Sequence, residues 1–240
     1  MRLSINELRG RYARAFEGLG FTAGLAPDAA RIVATLDILG EDGLGRVLDR
    51  LDRLDGVTLP VPGLAVEDSS AGLDACGGSL LAVGPDALDV LDVLTQQHGE
   101  ARLAVQACRD LDFLTGVGGL AAARGIEGAL VAALDGCERL VRIAQRRAEV
   151  QEAPPGTFAD IPADGLLALG GRAVEFLDAS ACTTPLGFAA FDRRHDDALE
   201  NGVIVDDAAW KRIYEIGGRL LVPEMGDSTA NAGVGGGTPI

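Results

Sequence analysis

The residues that could do chemistry in this sequence are few. His98 precedes Gly99, where an imidazole serves the last carbonyls of a helix. His195 lies in Asp192-Arg193-Arg194-His195-Asp196-Asp197. It reads either as a solvated histidine among carboxylates or as a general acid whose pKa they raise. Residues 40–46 are Gly-Glu-Asp-Gly-Leu-Gly-Arg, with Asp42 and Arg46 one turn apart on an expected helix. That spacing suits a surface ion pair, and it also makes Asp42 a candidate acid and Arg46 a bidentate fork for a carboxylate ligand. Gly116-Val117-Gly118-Gly119 follows a strand and opens a helix. Gly116, Gly118 and Gly119 are there either for close helix–sheet packing or to present free N–H groups to an anion, without the rest of a dinucleotide fingerprint.

Other chemistries lack their residues. Cys76, Cys108, Cys137 and Cys182 form no C-x-x-C pair, and three lie beside small or apolar residues, so buried reduced thiols are expected. No second histidine or cysteine stands at ligand spacing, so no metal is expected. No Ser-His-Asp or Gly-x-Ser-x-Gly arrangement occurs. Ser180-Ala181-Cys182-Thr183-Thr184 is polar enough for a site and reads equally well as a loop.

The elements that must position these residues can be read from periodicity. Ser4-Ile5-Asn6-Glu7 is a capping box, followed by Leu8, Tyr12, Phe16 and Leu19 at helical spacing up to Gly20. Pro27 and Asp28 start a second helix carrying Ile32, Val33, Leu36 and Leu39. A third is expected over 41–54, with Leu44, Val47, Leu48, Leu51 and Leu54 inward and Arg46, Asp49, Arg50, Asp52 and Arg53 as a solvated, salt-bridged face. Pro60 to Gly63 ends this three-helix unit as a turn or linker. Strands follow over 64–67 and 79–83, then a helix from Pro85 to the His98-Gly99 turn, a strand over 103–108, a helix over 116–124 and a strand over 129–134. A basic-faced helix is expected over 140–151, with Arg139, Arg142, Arg146 and Arg147. A hairpin bent at Gly170-Gly171 joins 166–169 to 173–177, and a last helix spans 207–220 on Trp210, Ile213, Tyr214 and Ile216. The fold class is α/β: an N-terminal helical unit (1–56), a mixed-sheet α/β domain (57–224) and a flexible glycine-rich tail (225–240).

Composition bounds the partners. The 240 residues can bury a real core. A net charge of −15, with Lys211 the only lysine, repels phosphate backbones and anionic lipid, so neither nucleic acid nor membrane is an expected partner. No basic-then-apolar leader opens the chain and no apolar run approaches the roughly 18 residues of a membrane helix, so a cytoplasmic protein is expected.

Several of these segments, in order, resemble the malate/L-lactate/sulfolactate dehydrogenases, NAD(P)H-dependent 2-oxoacid and imino-acid reductases without a Rossmann fold. Their Gly-x-Asp-Ser-His-Gly motif is matched by Gly40, Asp42 and Gly45, while Gly43 replaces the serine and Leu44 the histidine. Val66-Glu67-Asp68-Ser69-Ser70-Ala71-Gly72-Leu73 is similar to their Val-x-Asp-Gly-x-x-Gly-x-Gly stretch, and Gly84-Pro85-Asp86-Ala87 with His98-Gly99 to their Gly-Pro-x-Ala helix and turn. Their Asn-x-x-His-x-Gly loop has its counterpart in residues 109–116, without the histidine, and Glu200 to Asp206 resembles their closing Gly-Ile-x-Val segment. The resemblance implies a trimmed version of that fold, a homodimer, and loss of the usual general acid. It leaves a small-carboxylate binder or partner subunit, or alternatively a reductase with a replaced acid; a nicotinamide cofactor is implied only in the second case. A looser similarity, on Leu221-Val222-Pro223-Glu224 and the glycines from 233 to 237, is to an uncharacterised bacterial family with a glycine/alanine-rich tail.

Overall fold

The computed structural model describes residues 1–56 and 61–220. The expected tail from 225 and the Pro60 end of the linker lie outside them. Helices α1 (Ile5–Gly18) and α2 (Ala26–Ile38) begin as their signals require. Ser4 accepts from the Glu7 N–H at 3.2 Å, and Pro27 sits in the first turn of α2. The single helix expected over 41–54 is instead two short ones, α3 (Gly43–Leu48) and α4 (Leu51–Leu54). Asp42 takes a left-handed conformation (φ 51°) and caps α3, so the chain turns at 40–42 and cannot continue a helix through them.

Strands β2 (Gly63–Glu67) and β3 (Ser70–Asp74) form a hairpin. The strand expected at 79–83 is the first turn of α5 (Leu80–His98), capped by Ser79, with Pro85 inside it. Gly99, at φ +75°, ends α5 and leads into β4 (Glu100–Gln106). Next come α6 (Leu114–Arg124), β5 (Gly128–Leu134), β6 (Cys137–Ala144), β7 (Arg147–Ala153), β8 (Leu166–Gly171), β9 (Thr183–Leu186) and α7 (Phe188–Asn201). The expected basic helix over 140–151 is thus the β6–β7 hairpin, turned by Gln145 and Arg146, both at positive φ. The expected hairpin at Gly170-Gly171 is also corrected: β8 is a central strand, and residues 172–176 form a 3₁₀ turn.

The eight-stranded sheet runs β2-β3-β4-β8-β5-β6-β7-β9, antiparallel except for the β3–β4 pair. Leu130, Ala132, Val141 and Ile143 face the helices α2, α5 and α6; Ala129, Val131, Leu140 and Leu169 face a second cluster with Phe158. A two-stranded clasp pairs β1 (Arg2–Leu3) with β10 (Val203–Ile204). Helix α8 (Asp207–Gly217) then packs on α1, with Trp210, Ile213 and Ile216 buried. Tyr214, expected as an anchor, is exposed, with Arg11 stacked 4.6 Å from its ring centre.

Candidate functional site

The 40–46 segment is a tight reversal between α2 and α3. Gly40 (φ +73°) turns the chain, and the Asp42 carboxylate accepts from the Gly45 N–H at 3.1 Å. Gly43 lies so close to the Val33 carbonyl that a Cβ could not fit, so this approach of α3 to α2 excludes a serine there. Leu44 is 3% exposed, among Tyr12, Phe16, Val33, Val47 and Ile213. It is a core residue. Its N–H donates to Asp37 Oδ1 at 3.1 Å, and the Tyr12 hydroxyl donates to Asp37 Oδ2 at 2.7 Å. Desolvation outweighs both hydrogen bonds and pushes the Asp37 carboxyl up to about 6. Burial and the nearby Asp37 charge push the Tyr12 phenol above its usual range. Asp37 also lines an open cleft of about 570 Å³ with Gly40, Arg2, Arg194 and Asn201.

Arg46 does not pair with Asp42, because the cap has turned Asp42 away along α3. It reaches Glu41 Oε2 at 3.3 Å and the Asp112 carbonyl and carboxylate. The same Glu41 oxygen is held by Arg139 of β6 at 3.2 Å; that guanidinium also donates to Thr115 Oγ1 at 3.2 Å and to Glu152 at 2.7 Å. Burial works against the Arg139 charge, but Glu152 and Glu41 outweigh it and hold its pKa above the ordinary value. Arg139 Nε is closed off from solvent and has no partner among the described residues. Beside this corner Arg50 grips Asp110 at 3.0 Å and Asp112 at 2.8 Å. The arginines expected as a solvated face therefore tie α3 and α4 to the loop before α6.

The expected anion turn is elsewhere in its helix. α6 begins at Leu114, so Gly116, Gly118 and Gly119 are already inside it. A Cβ on Gly116 would lie 2.5 Å from the Ile32 carbonyl oxygen, and those on Gly118 and Gly119 would strike Val141 and Thr35. The three glycines let α6 touch α2 and the sheet. His195 sits on α7, next to Arg194, which reaches the Leu39 carbonyl, and lines a second cavity. His98 is the last residue of α5. Cys108 is buried, with its thiol pushed up to about 12 by burial and then by Asp110 and Asp164, whereas Cys76 is exposed, contrary to expectation. The described residues contain no group of three or more potential metal ligands, and none of their helices is long and apolar enough to cross a membrane. Sequence reasoning missed Asp37, Tyr12, Glu41 and Arg139. The one available signal was Asp37 itself, an acid between Leu36 and Ile38 in an otherwise apolar helical stretch.

Comparison with solved structures places this architecture. A dehydrogenase from Sinorhizobium meliloti superposes with a TM-score of 0.65 at 15% identity, covering 90% of this chain and 99% of its own. Malate dehydrogenase from Pyrococcus horikoshii OT3 gives 0.64 at 13%, covering 91% and 95%. The chain has the malate/L-lactate dehydrogenase fold. Delta1-piperideine-2-carboxylate reductase from Pseudomonas syringae pvar. tomato shares it, at a TM-score of 0.61 and 14% identity over 90% of this chain and 99% of that one. At these identities the likeness is one of fold. A family model described as "Protein of unknown function (DUF3726)" matches residues 3–76, and no curated protein sequence matches the chain.

Proposed function

We propose that this dehydrogenase-fold chain binds a small carboxylate without carrying out the fold's usual reduction, as a homodimer or as the partner of a catalytic subunit. The observation that carries this reading is the corner in which Arg46 and Arg139, the latter steadied by its hydrogen bond to Thr115, hold the Glu41 carboxylate as a resident ligand. Two guanidinium groups converging on one carboxylate are the donors that a free carboxylate needs. Leu44, packed in the apolar core, supplies no proton at the position of the fold's histidine.

Binding of succinate, malate and pyruvate is to be measured by calorimetry on the whole chain. Glu41→Gln is expected to tighten binding by vacating the corner, and Arg139→Gln to cost about 2–5 kcal/mol of it. No tightening in Glu41→Gln would overturn the site. Light scattering is expected to give about twice 24.7 kDa for the dimer.

A second reading rests on Asp37, whose carboxyl holds its proton up to a pH of about 6 beside an open cleft. There Asp37 takes the place of the missing acid in a reductase of a 2-oxoacid or cyclic imine. NAD(P)H oxidation with such substrates, abolished in Asp37→Asn, would favour it over the first reading.

A further inference from the structure

A second cavity, of about 300 Å³, lies on the other side of Ile38 and Leu39 from the Asp37 cleft and is independent of the Glu41 corner. Four elements build it: Arg9 from α1, Arg31 and Thr35 from α2, Gly119, Ala122 and Ala123 from α6, and Phe191, Asp192, His195 and Asp196 from α7. Arg146 closes it from the β6–β7 turn, where its positive φ and a hydrogen bond to the Ala123 carbonyl at 3.4 Å fold it back over α6.

What marks this wall is that three arginines without an acidic partner among the described residues line one cavity. Arg46, Arg50, Arg124 and Arg139 each bind two carboxylates. Arg9, Arg31 and Arg146 form no ion pair among the described residues, although the chain carries 36 acidic side chains against 21 basic ones. Of the two carboxylates in the wall, Asp192 is already bound to Arg147 at 3.3 Å, which leaves Asp196. Arg9 Nε is buried and without a hydrogen-bond partner. Burial, and then the neighbouring charge of Arg31, pulls the Arg9 guanidinium below its ordinary pKa.

Neighbouring arginines that line one cavity without an acidic partner favour an anion between them. Guanidinium groups only donate, in a fork that matches phosphate oxygens. Three of them exceed what a single carboxylate can use, and they suit the several acceptor oxygens and double charge of a phosphate. The remaining volume, beside Ile38, Leu39 and Phe191, leaves room for a small organic group. We infer that the Arg9–Arg31–Arg146 cavity, with His195 in its wall, is a binding site for a phosphate monoester or free phosphate.

The test is calorimetry on the full chain with inorganic phosphate, with glycerol 3-phosphate, and with succinate as a carboxylate control. Both phosphates are expected to bind, the ester more tightly if the apolar wall is used, with affinity falling as salt rises. Arg31→Ala, at a half-buried position, and Arg146→Ala, at an exposed one, are each expected to weaken phosphate at least tenfold, while Arg139→Gln leaves it unchanged. Tighter binding of free phosphate than of the ester would assign the site to inorganic phosphate. Succinate binding there in preference to either, no phosphate binding, or full affinity in both arginine variants would overturn the proposal.

Discussion

Asp37 shows how one carboxyl can carry a pH signature for the whole fold. Its folded pKa of about 6 stands above the ordinary 3.8, so the native state keeps a proton that the unfolded chain releases. The stability this proton contributes is full below 3.8 and is lost as pH rises through about 6. Unfolding free energy is therefore expected to fall across that window, and Asp37→Asn, which keeps an acceptor for Tyr12 or Leu44, should flatten the fall. Denaturant titrations at steps from pH 4 to 7 check this. Parallel profiles for the two proteins would mean that Asp37 titrates as an ordinary surface acid.

At the scale of elements, the glycines of α6 decide how near two helices come. Gly116→Ala should lose about 1–3 kcal/mol by overpacking against the Ile32 backbone, despite the better helix propensity of alanine. Gly10, mid-helix in α1 with nothing within 4 Å of its missing Cβ, provides the control, and Gly10→Ala should gain about 0.5–1 kcal/mol. Chemical denaturation of both variants measures the contrast, and equal effects would remove close approach as the reason for the glycine run. Elements with a clear start signal, such as α1 with its Ser4 cap and α2 with Pro27 in its first turn, were legible in the sequence, as was the layered α/β class. The β6–β7 hairpin was not, because both faces of this sheet are covered; Leu140, Val141 and Ile143 are all buried, which erases strand alternation and leaves arginines at intervals that mimic a helix face. The site was legible only as far as Arg46 and the altered motif. Its other members come from β6, α6 and the end of α2, and nothing local in a sequence brings Glu41 to Arg139, 98 positions away.

Among the described residues, the N-terminal segment and the last helix close on each other. β1 pairs with β10, α8 lies along α1, and Trp210, the only tryptophan, sits 6.2 Å from the ring of Tyr12. Trp210 fluorescence is expected to reach its native value in the slowest refolding phase, because this contact spans nearly the whole sequence. A native signal before the sheet forms, judged by far-ultraviolet circular dichroism, would contradict that order.

The same clasp bears on how the chain is made. Tyr12, Ala15 and Gly18 lie on the face of α1 that meets α8, and the Arg2–Asn201 hydrogen bond spans 199 positions. Translation proceeds at about 5–20 residues per second, so this apolar stripe waits on the order of 10–40 s at the ribosome before its partner is synthesised. The nascent chain is therefore a natural client for a chaperone that shields an amphipathic helix until synthesis reaches α8.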